Sequence, residues 1–175
     1  MKRLLTHLLA TAALAAVASS ASAQDKLKVG FIYVGPVGDH GWSYQHDVGR
    51  KAIEEQLGDK VETTYVESVP EADSERAIEQ LARTGHKLIF TTSFGYMEPT
   101  LKVAKKYPDV KFEHATGIKR ADNVSTYAAK FHEGRYMIGQ IAAKMSKTGV
   151  IGYVGAYPIP EVVAGINAYF LGAQS

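Results

Sequence analysis

The segment from Gly35 to Ser43 combines a tight turn with four side chains that could bind a small ligand. It reads GPVGDHGWS, and it lies between an apolar run and a helical pattern. Its three glycines and one proline favour a turn whose backbone can approach a ligand closely. The candidate binding residues in this turn are Asp39, His40, Trp42 and Ser43.

Trp42 and Asp39 are the two residues of this turn whose chemistry is most specific. Trp42, the only tryptophan, could stack on a planar ring, a contact worth ~1–3 kcal/mol per base. Asp39 could accept hydrogen bonds from N–H or O–H groups of a ligand. Structural roles remain open for both, because tryptophan is highly buried on average and aspartate often caps a helix.

Three further loops carry candidates of the same kind. They are Phe94, Gly95 and Tyr96 in one loop, Thr116 and Gly117 in a second, and Ile159 and Glu161 in a third. The first two loops offer backbone amides, a hydroxyl and aromatic rings, and we expect at least one of the two aromatic residues to pack inward. The third loop could face the others across a cleft.

Several kinds of chemistry find no support in the sequence. There is no G-x-S-x-G nucleophile pattern, no G-x-G-x-x-G and no Walker A motif. The histidines lack the spacing of metal ligands, and the absence of cysteine excludes disulfides and cysteine-based zinc sites. We therefore expect neither a metal nor a cofactor.

The first 23 residues have the three-part layout of a secretory signal peptide. Lys2 and Arg3 precede an apolar stretch of Leu and Ala, and Ala21-Ser-Ala23 is a cleavage site of small residues. The apolar run is shorter than the ~20 residues of a membrane-spanning helix. Cleavage would remove two basic residues and no acidic one, so the formal charge of +2 would fall to zero. A nucleic-acid surface, which needs clustered basic residues, is not indicated.

The rest of the chain alternates between strand and helix signals. Strands are predicted over 28–34, 61–66, 87–91, 110–115 and 124–128, with helices between the first four. This alternation predicts a doubly wound parallel α/β sheet with helices on both faces. Such sheets bind ligands at the carboxyl ends of their strands, where the candidate loops lie.

The pattern then starts again, with a helix over 132–145, a strand over 149–154 and a helix over 160–171. We therefore expect residues 24–127 to form a nearly complete first lobe and residues 128–175 to begin a second α/β lobe that is incomplete.

A set of segments in a fixed order resembles the basic membrane protein family of solute-binding proteins. The segments are VGFIY from Val29, GDHGWS from Gly38, SFGYM from Ser93, AKKYPDVKF from Ala104, EGRY from Glu133 and GVIG from Gly149. The resemblance covers residues 24–175 and implies the type I periplasmic binding protein fold. It also implies a purine base or nucleoside bound between two lobes, and delivery to an ABC transporter permease in the inner membrane. We expect a periplasmic protein that is monomeric at full length.

The resemblance also implies roles for the candidate residues. Trp42 would stack on the base and Asp39 would bind polar ligand atoms. The loops at 94–96 and 116–117 would line the same lobe, and Ile159 to Glu161 would contribute from the second. Three features depart from the family. There is no cysteine for lipid modification, and Trp42 stands where phenylalanine is common. His114 replaces an aspartate that would suit a ribose hydroxyl. The absence of that aspartate makes a free base at least as good a candidate as a nucleoside.

Two other functions remain open at this stage. A sugar receptor of the same architecture would also use aromatic platforms and carboxylates. An exported α/β enzyme, such as a nucleoside hydrolase or an esterase, would need a paired nucleophile and base or a carboxylate cluster, and neither is present as a motif.

Overall fold

The computed structural model describes residues 25–38 and 40–175. The predicted signal peptide over 1–23 and the candidate Asp39 lie outside the described residues. In chain order the elements are β1 Leu27–Ile32, α1 Trp42–Leu57, β2 Val61–Val66, α2 Ser74–Arg83, β3 Leu88–Thr91, α3 Met97–Lys106, β4 Lys111–Ala115, β5 Val124–Tyr127, α4 Phe131–Met145 and α5 Pro160–Gln174. Two short 3₁₀ turns, Glu71–Asp73 and Phe94–Tyr96, lead into α2 and α3.

The five strands form one sheet in the order β2-β1-β3-β4-β5, and all neighbouring strands are parallel. This confirms the predicted doubly wound α/β fold. The predicted strand over 61–66 is found at those residues, and the other four differ by one or two residues at their ends. The strand order reverses between β1 and β3. In open α/β sheets, the crevice at such a switch point is where ligands bind.

Each face of the sheet carries its own apolar cluster. Ile32, Ile89 and Phe112 pack with residues of α2 and α3 on one face. Val29, Phe31, Tyr33 and Val61 form the cluster on the other face, with Ile53 of α1 packed against it. Alternate residues of β1 thus point to opposite faces, as the two-residue period of a strand requires. The sheet is therefore a rigid frame for the loops at its carboxyl edge.

The ion pair between Asp47 and Arg50 anchors α1 to the sheet. The two side chains are 3% and 8% exposed, and Arg50 Nε lies 2.6 Å from Asp47 Oδ1. Arg50 also donates to Thr63 Oγ1 of β2 at 2.9 Å and lies over the Tyr65 ring. These contacts connect α1 to β2, so they fix the helix whose first residue is Trp42.

The two last helices pack closely against each other. A Cβ atom added at Gly139 would lie 2.0 Å from the carbonyl oxygen of Tyr169, and one added at Gly172 would lie 2.0 Å from that of Tyr136. Only glycine therefore allows α4 and α5 to approach this closely. Of the helices in the described part of the chain, none combines the length and apolar character that a bilayer crossing requires.

The strand predicted over 149–154 is wrong. This stretch belongs to neither a helix nor a strand, and Val150 and Val154 are 78% and 97% exposed. A strand needs a neighbour that supplies backbone donors and acceptors, and no described residue pairs with this one. The apolar pattern was present without the partner that would turn it into a strand.

Candidate ligand-binding site

The loops after β1 and β3 are joined at the switch point of the sheet. The indole Nε1 of Trp42, at the start of α1, donates a hydrogen bond to the carbonyl oxygen of Thr92, which follows β3. Thr92 is itself held by β1, because its backbone N–H and its hydroxyl both donate to the carbonyl oxygen of Ile32, at 3.2 and 2.8 Å. Trp42 therefore spans the point where the strand order reverses.

The indole of Trp42 is open to solvent and surrounded by rings. The residue is 36% exposed, so it is not sealed in the core. The imidazole of His46 lies 4.8 Å from its ring at a tilt of 55°, and the ring of Phe131 lies 6.2 Å away at 48°. Trp42 is thus an aromatic surface with an open part, fixed in orientation by its own hydrogen bond.

The remaining candidates in the first loop divide between surface and interior. His40 is exposed, with φ of +48°, and its ring lies 4.7 Å from that of Tyr44. Ser43 is only 4% exposed, and its hydroxyl oxygen accepts the N–H of Gly35 at 3.0 Å. Ser43 therefore closes the turn from a buried position, and its predicted role as a ligand contact stays a prediction.

The loop after β3 places its two aromatic residues differently. Tyr96 is fully buried, and its hydroxyl donates to the carbonyl oxygen of Val69 at 2.6 Å. Burial raises the pKa of Tyr96, so the hydroxyl stays neutral. The side chain ties two loops together beneath the surface, so Tyr96 is the aromatic residue of this loop that packs inward, and its predicted contact with ligand stays a prediction. Phe94, in the same loop, is half-buried.

The carboxylate of Glu71, which is not among the predicted site residues, contacts this loop from the segment after β2. Ser93 Oγ donates to Glu71 Oε1 at 3.1 Å, and a Cβ atom added at Gly95 would lie 2.0 Å from the Glu71 carboxyl group. Gly95 thus leaves the space that the carboxyl group of the exposed Glu71 side chain occupies. A second carboxylate from the same segment, Glu67, accepts the N–H of Val37 at 2.7 Å. We call the loops that follow β1 to β4 the rim. It thus carries two exposed carboxylates, Glu67 and Glu71, near the candidate residues.

The loop after β4 turns sharply above a buried histidine. Thr116 has φ of +60°, and its N–H donates to the carbonyl oxygen of Tyr127 at 2.8 Å. A Cβ atom at Gly117 would lie 2.2 Å from the His114 ring, so glycine is required at this position. His114 is 1% exposed, it hydrogen-bonds Thr91 Oγ1 through Nδ1 at 2.8 Å, and burial lowers its pKa to about 4. It packs in the core as a neutral ring.

Ile159 and Glu161 lie apart from the other candidates. Glu161, in the first turn of α5, has an Oε2 atom that is buried without a hydrogen-bond partner, and burial raises the pKa of the carboxyl group against the opposing effect of Arg135. Among the described residues, no hydrogen bond, ion pair or aromatic contact joins either residue to residues 25–38 or 40–127. The structure therefore brings together the loops after β1, β3 and β4 without this pair.

The chemistry available at this rim is that of binding. It offers an open indole, a half-buried phenyl ring, two exposed carboxylates and the backbone amides of two tight loops. Over the residues the structure describes, no group of three or more histidine, aspartate or glutamate side chains could hold a metal ion. A flat ligand with hydrogen-bond donors at its edge would match these groups.

Comparison with known proteins identifies the family. The model of the Bmp family, described as ABC transporter substrate-binding protein PnrA-like, matches residues 26–175. The chain belongs to this family. Bmp membership confirms the resemblance stated from the sequence segments, and this family is one of substrate-binding proteins rather than enzymes. The alternative of an exported hydrolase or esterase is thereby discarded.

Three relatives of this Bmp chain are informative. It is 66% identical over 168 residues to a purine-binding protein of Brucella abortus, which covers 95% of this chain and 48% of the relative. It is 45% identical over 151 residues to a candidate ABC transporter glucose-binding protein of Haloferax volcanii, covering 86% of this chain and 38% of the relative. Among solved structures, an ABC transporter solute-binding protein of Aeropyrum pernix superposes with a TM-score of 0.72 at 28% identity, covering 85% of this chain and 43% of that one. The chain thus spans half the length of these relatives or less.

Proposed function

We propose that this Bmp chain forms the first lobe of a periplasmic receptor for a purine base or nucleoside, which it delivers to an ABC importer. The observation that carries the proposal is the open indole of Trp42, fixed to Thr92 across the switch point of the sheet. A ring held in one orientation binds a flat ligand at a smaller entropic cost than a mobile ring does. The 66% identical relative, named as purine-binding, supports the same ligand class.

In this proposal the base lies on Trp42 while polar groups of the rim bind its edge. Asp39 and the exposed His40 precede Trp42 in the same turn of the sequence and would bind polar ligand atoms. Phe94, the amide of Gly95, and the Thr116–Gly117 turn line the neighbouring loops. Glu71, which lies on Gly95, accepts hydrogen bonds from ligand N–H or O–H groups.

Transport requires that the ligand-bound receptor differ in conformation from the free receptor, so that the permease can distinguish the two. In the proposed cycle the ligand contacts two lobes and shifts the equilibrium from an open to a closed form. Ile159 and Glu161, remote from the rim in this structure, would reach the ligand from the second side on closure. The unpaired Oε2 of Glu161 would then gain a hydrogen-bond donor. The closed form would dock on the permease at the inner membrane. The signal peptide over residues 1–23 would direct export to the periplasm before its cleavage.

A sugar is the second candidate ligand, and two observations favour it. The 45% identical relative is named as a candidate glucose-binding protein. The exposed carboxylates of Glu67 and Glu71 at the rim also suit hydroxyl donors. A sugar would nevertheless use the indole only through its less polar ring face, and it would gain less from the flat stacking surface.

Calorimetric titration of the protein from Gln24 onward with adenine, adenosine, guanosine, ribose and glucose separates these candidates. The proposal predicts heat on addition of at least one purine, with weaker or no response to either sugar. The matched control is the substitution Trp42→Ala, which should weaken the purine affinity by about five- to 150-fold, because stacking on one base contributes ~1–3 kcal/mol. Binding of a sugar without any purine response would contradict the purine assignment. Release of free base or ribose during the titration would contradict the assignment as a receptor.

A further inference from the structure

His46 contacts the candidate platform in two ways. Its ring lies 4.8 Å from the Trp42 ring, and its Nδ1 lies 2.9 Å from the Trp42 carbonyl oxygen, one helical turn earlier on α1. The two contacts act on different parts of Trp42, the ring and the backbone. We propose that His46 is a positioning residue, whose neutral imidazole holds the Trp42 indole at the tilt that leaves its open part toward the ligand. This inference rests on the proposed function of Trp42.

The contact with the carbonyl oxygen determines the tautomer of His46. A carbonyl oxygen can only accept, so Nδ1 must carry the proton and donate it. In the neutral ring, Nε2 therefore holds the lone pair. Burial lowers the pKa of His46 below its usual 6.5, although the hydrogen bond to Trp42 opposes this. At neutral pH the ring beside the indole is therefore uncharged, and the aromatic surface is not disturbed by a hydrated cation.

The other neighbours of His46 complete this arrangement. On its far side, the ring of Tyr127 in β5 lies 6.2 Å away at a tilt of 58°. Burial and the nearby Glu113 carboxylate raise the pKa of Tyr127, so this hydroxyl does not ionise near neutral pH. Arg50, one turn further along α1, is engaged by Asp47 and Glu54. His46, which lies between the rings of Trp42 and Tyr127, is thus the group of this cluster whose charge changes on mild acidification, at a pKa that burial holds below 6.5.

The single tryptophan allows a test without any ligand. Because a protonated imidazole quenches the emission of a neighbouring indole, the fluorescence of Trp42 should fall on acidification with a midpoint below 6.5, the usual pKa of histidine. His46→Phe keeps a flat ring and should abolish the transition, and His46→Gln keeps a donor for the Trp42 carbonyl and should abolish it too. His40→Gln is the matched control, because the His40 ring faces Tyr44, and it should retain the transition. Loss of the transition in His40→Gln but not in His46→Phe would overturn the inference.

A second arm measures the effect on ligand binding. His46→Ala should weaken adenosine binding by about three- to tenfold, the fold-change that corresponds to one aromatic contact, while His46→Phe should stay within about twofold of the unsubstituted protein. The near-ultraviolet circular dichroism of Trp42 should change in His46→Ala and recover in His46→Phe. Equal affinity for all three proteins would overturn the positioning role. Absence of any purine binding by the unsubstituted protein would contradict the proposed function instead, and the fluorescence arm would still report on His46.

Discussion

The indole Nε1 of Trp42 donates to the carbonyl oxygen of Thr92, a residue that lies fifty positions further along the chain. Because Thr92 bonds Ile32 through both its backbone N–H and its hydroxyl, this contact joins the loops that follow β1 and β3. The indole is therefore held by the sheet itself, at the position where the strand order reverses.

Substitutions at Trp42 should separate the stacking surface from the hydrogen bond. Trp42→Phe keeps a flat ring but removes the donor to Thr92, so it should lower the free energy of unfolding by about 1 kcal/mol and retain most of the purine affinity. Trp42→Ala removes both and should lose ~1–3 kcal/mol of purine binding in addition. Urea denaturation and calorimetry measure the two effects. Equal purine affinity of the two variants would show that the ring is not a platform.

The close contact between Gly95 and Glu71 predicts coupling between the two positions. Gly95→Ala would place a methyl group 2.0 Å from the Glu71 carboxyl group and force it to move. The carboxyl group ends an exposed, flexible side chain and can turn into solvent, so we expect Gly95→Ala to lower the free energy of unfolding by only about 1 kcal/mol, through loss of the hydrogen bond from Ser93. Glu71→Ala loses the same hydrogen bond, so the double variant should lose no more stability than either single variant. A double-mutant cycle measures the coupling, and strictly additive values would contradict the contact.

His114 predicts a loss of stability in mild acid. Its folded-state pKa is about 4, below the usual 6.5, because the ring is buried beside Thr91. Between these pH values the unfolded chain binds a proton that the folded chain does not, so stability should fall by a few kcal/mol as the pH drops from about 6.5 to 4. In His114→Leu, the free energy of unfolding from urea denaturation should depend less steeply on pH across this range. An unchanged slope would contradict the buried neutral histidine.

The buried pair of Asp47 and Arg50 makes α1 sensitive to single substitutions. Asp47→Leu would leave the Arg50 guanidinium buried with Glu54 as its remaining ion-pair partner, and we expect a loss of about 3–5 kcal/mol of folding free energy. Replacing both residues by leucine and methionine should recover much of that loss, because no uncompensated charge remains. Thermal and urea unfolding of the single and double variants provide the measurement. A double variant less stable than Asp47→Leu would argue against a simple desolvation cost.

The order of elements could be predicted from the sequence because each strand of the sheet has a local signal. The first four strands combine apolar, β-branched or aromatic runs with nearby glycine or proline, and the helices between them predict their parallel pairing, whereas β5 follows β4 without a helix. The segment over 149–154 has the same local signal and forms no strand, since strand formation also depends on a pairing partner. Local pattern thus decides where a strand can form, and tertiary pairing decides whether it does.

The site was predicted less completely, for a related reason. Trp42 was found from its residue type and its place after the first strand. Other contacts of the site join residues that are far apart in the sequence. Glu71 accepts a hydrogen bond from Ser93, and the ring of Phe131 lies near that of Trp42. His46, like the other histidines, lacks the spacing of a metal ligand, and its position four residues after Trp42 on a helix is the sequence signal that indicates a neighbour of the ring. Tyr96 gave no signal of which way its ring would point.

Intermolecular nuclear Overhauser effects between a bound purine and Trp42 test the central claim most directly. The protein from Gln24 onward contains one indole, so its ring protons are unambiguous. With adenine or adenosine in excess, the account predicts contacts between the base H2 and H8 protons and the Trp42 ring protons. Purine binding that gives contacts elsewhere and none to the indole would contradict it.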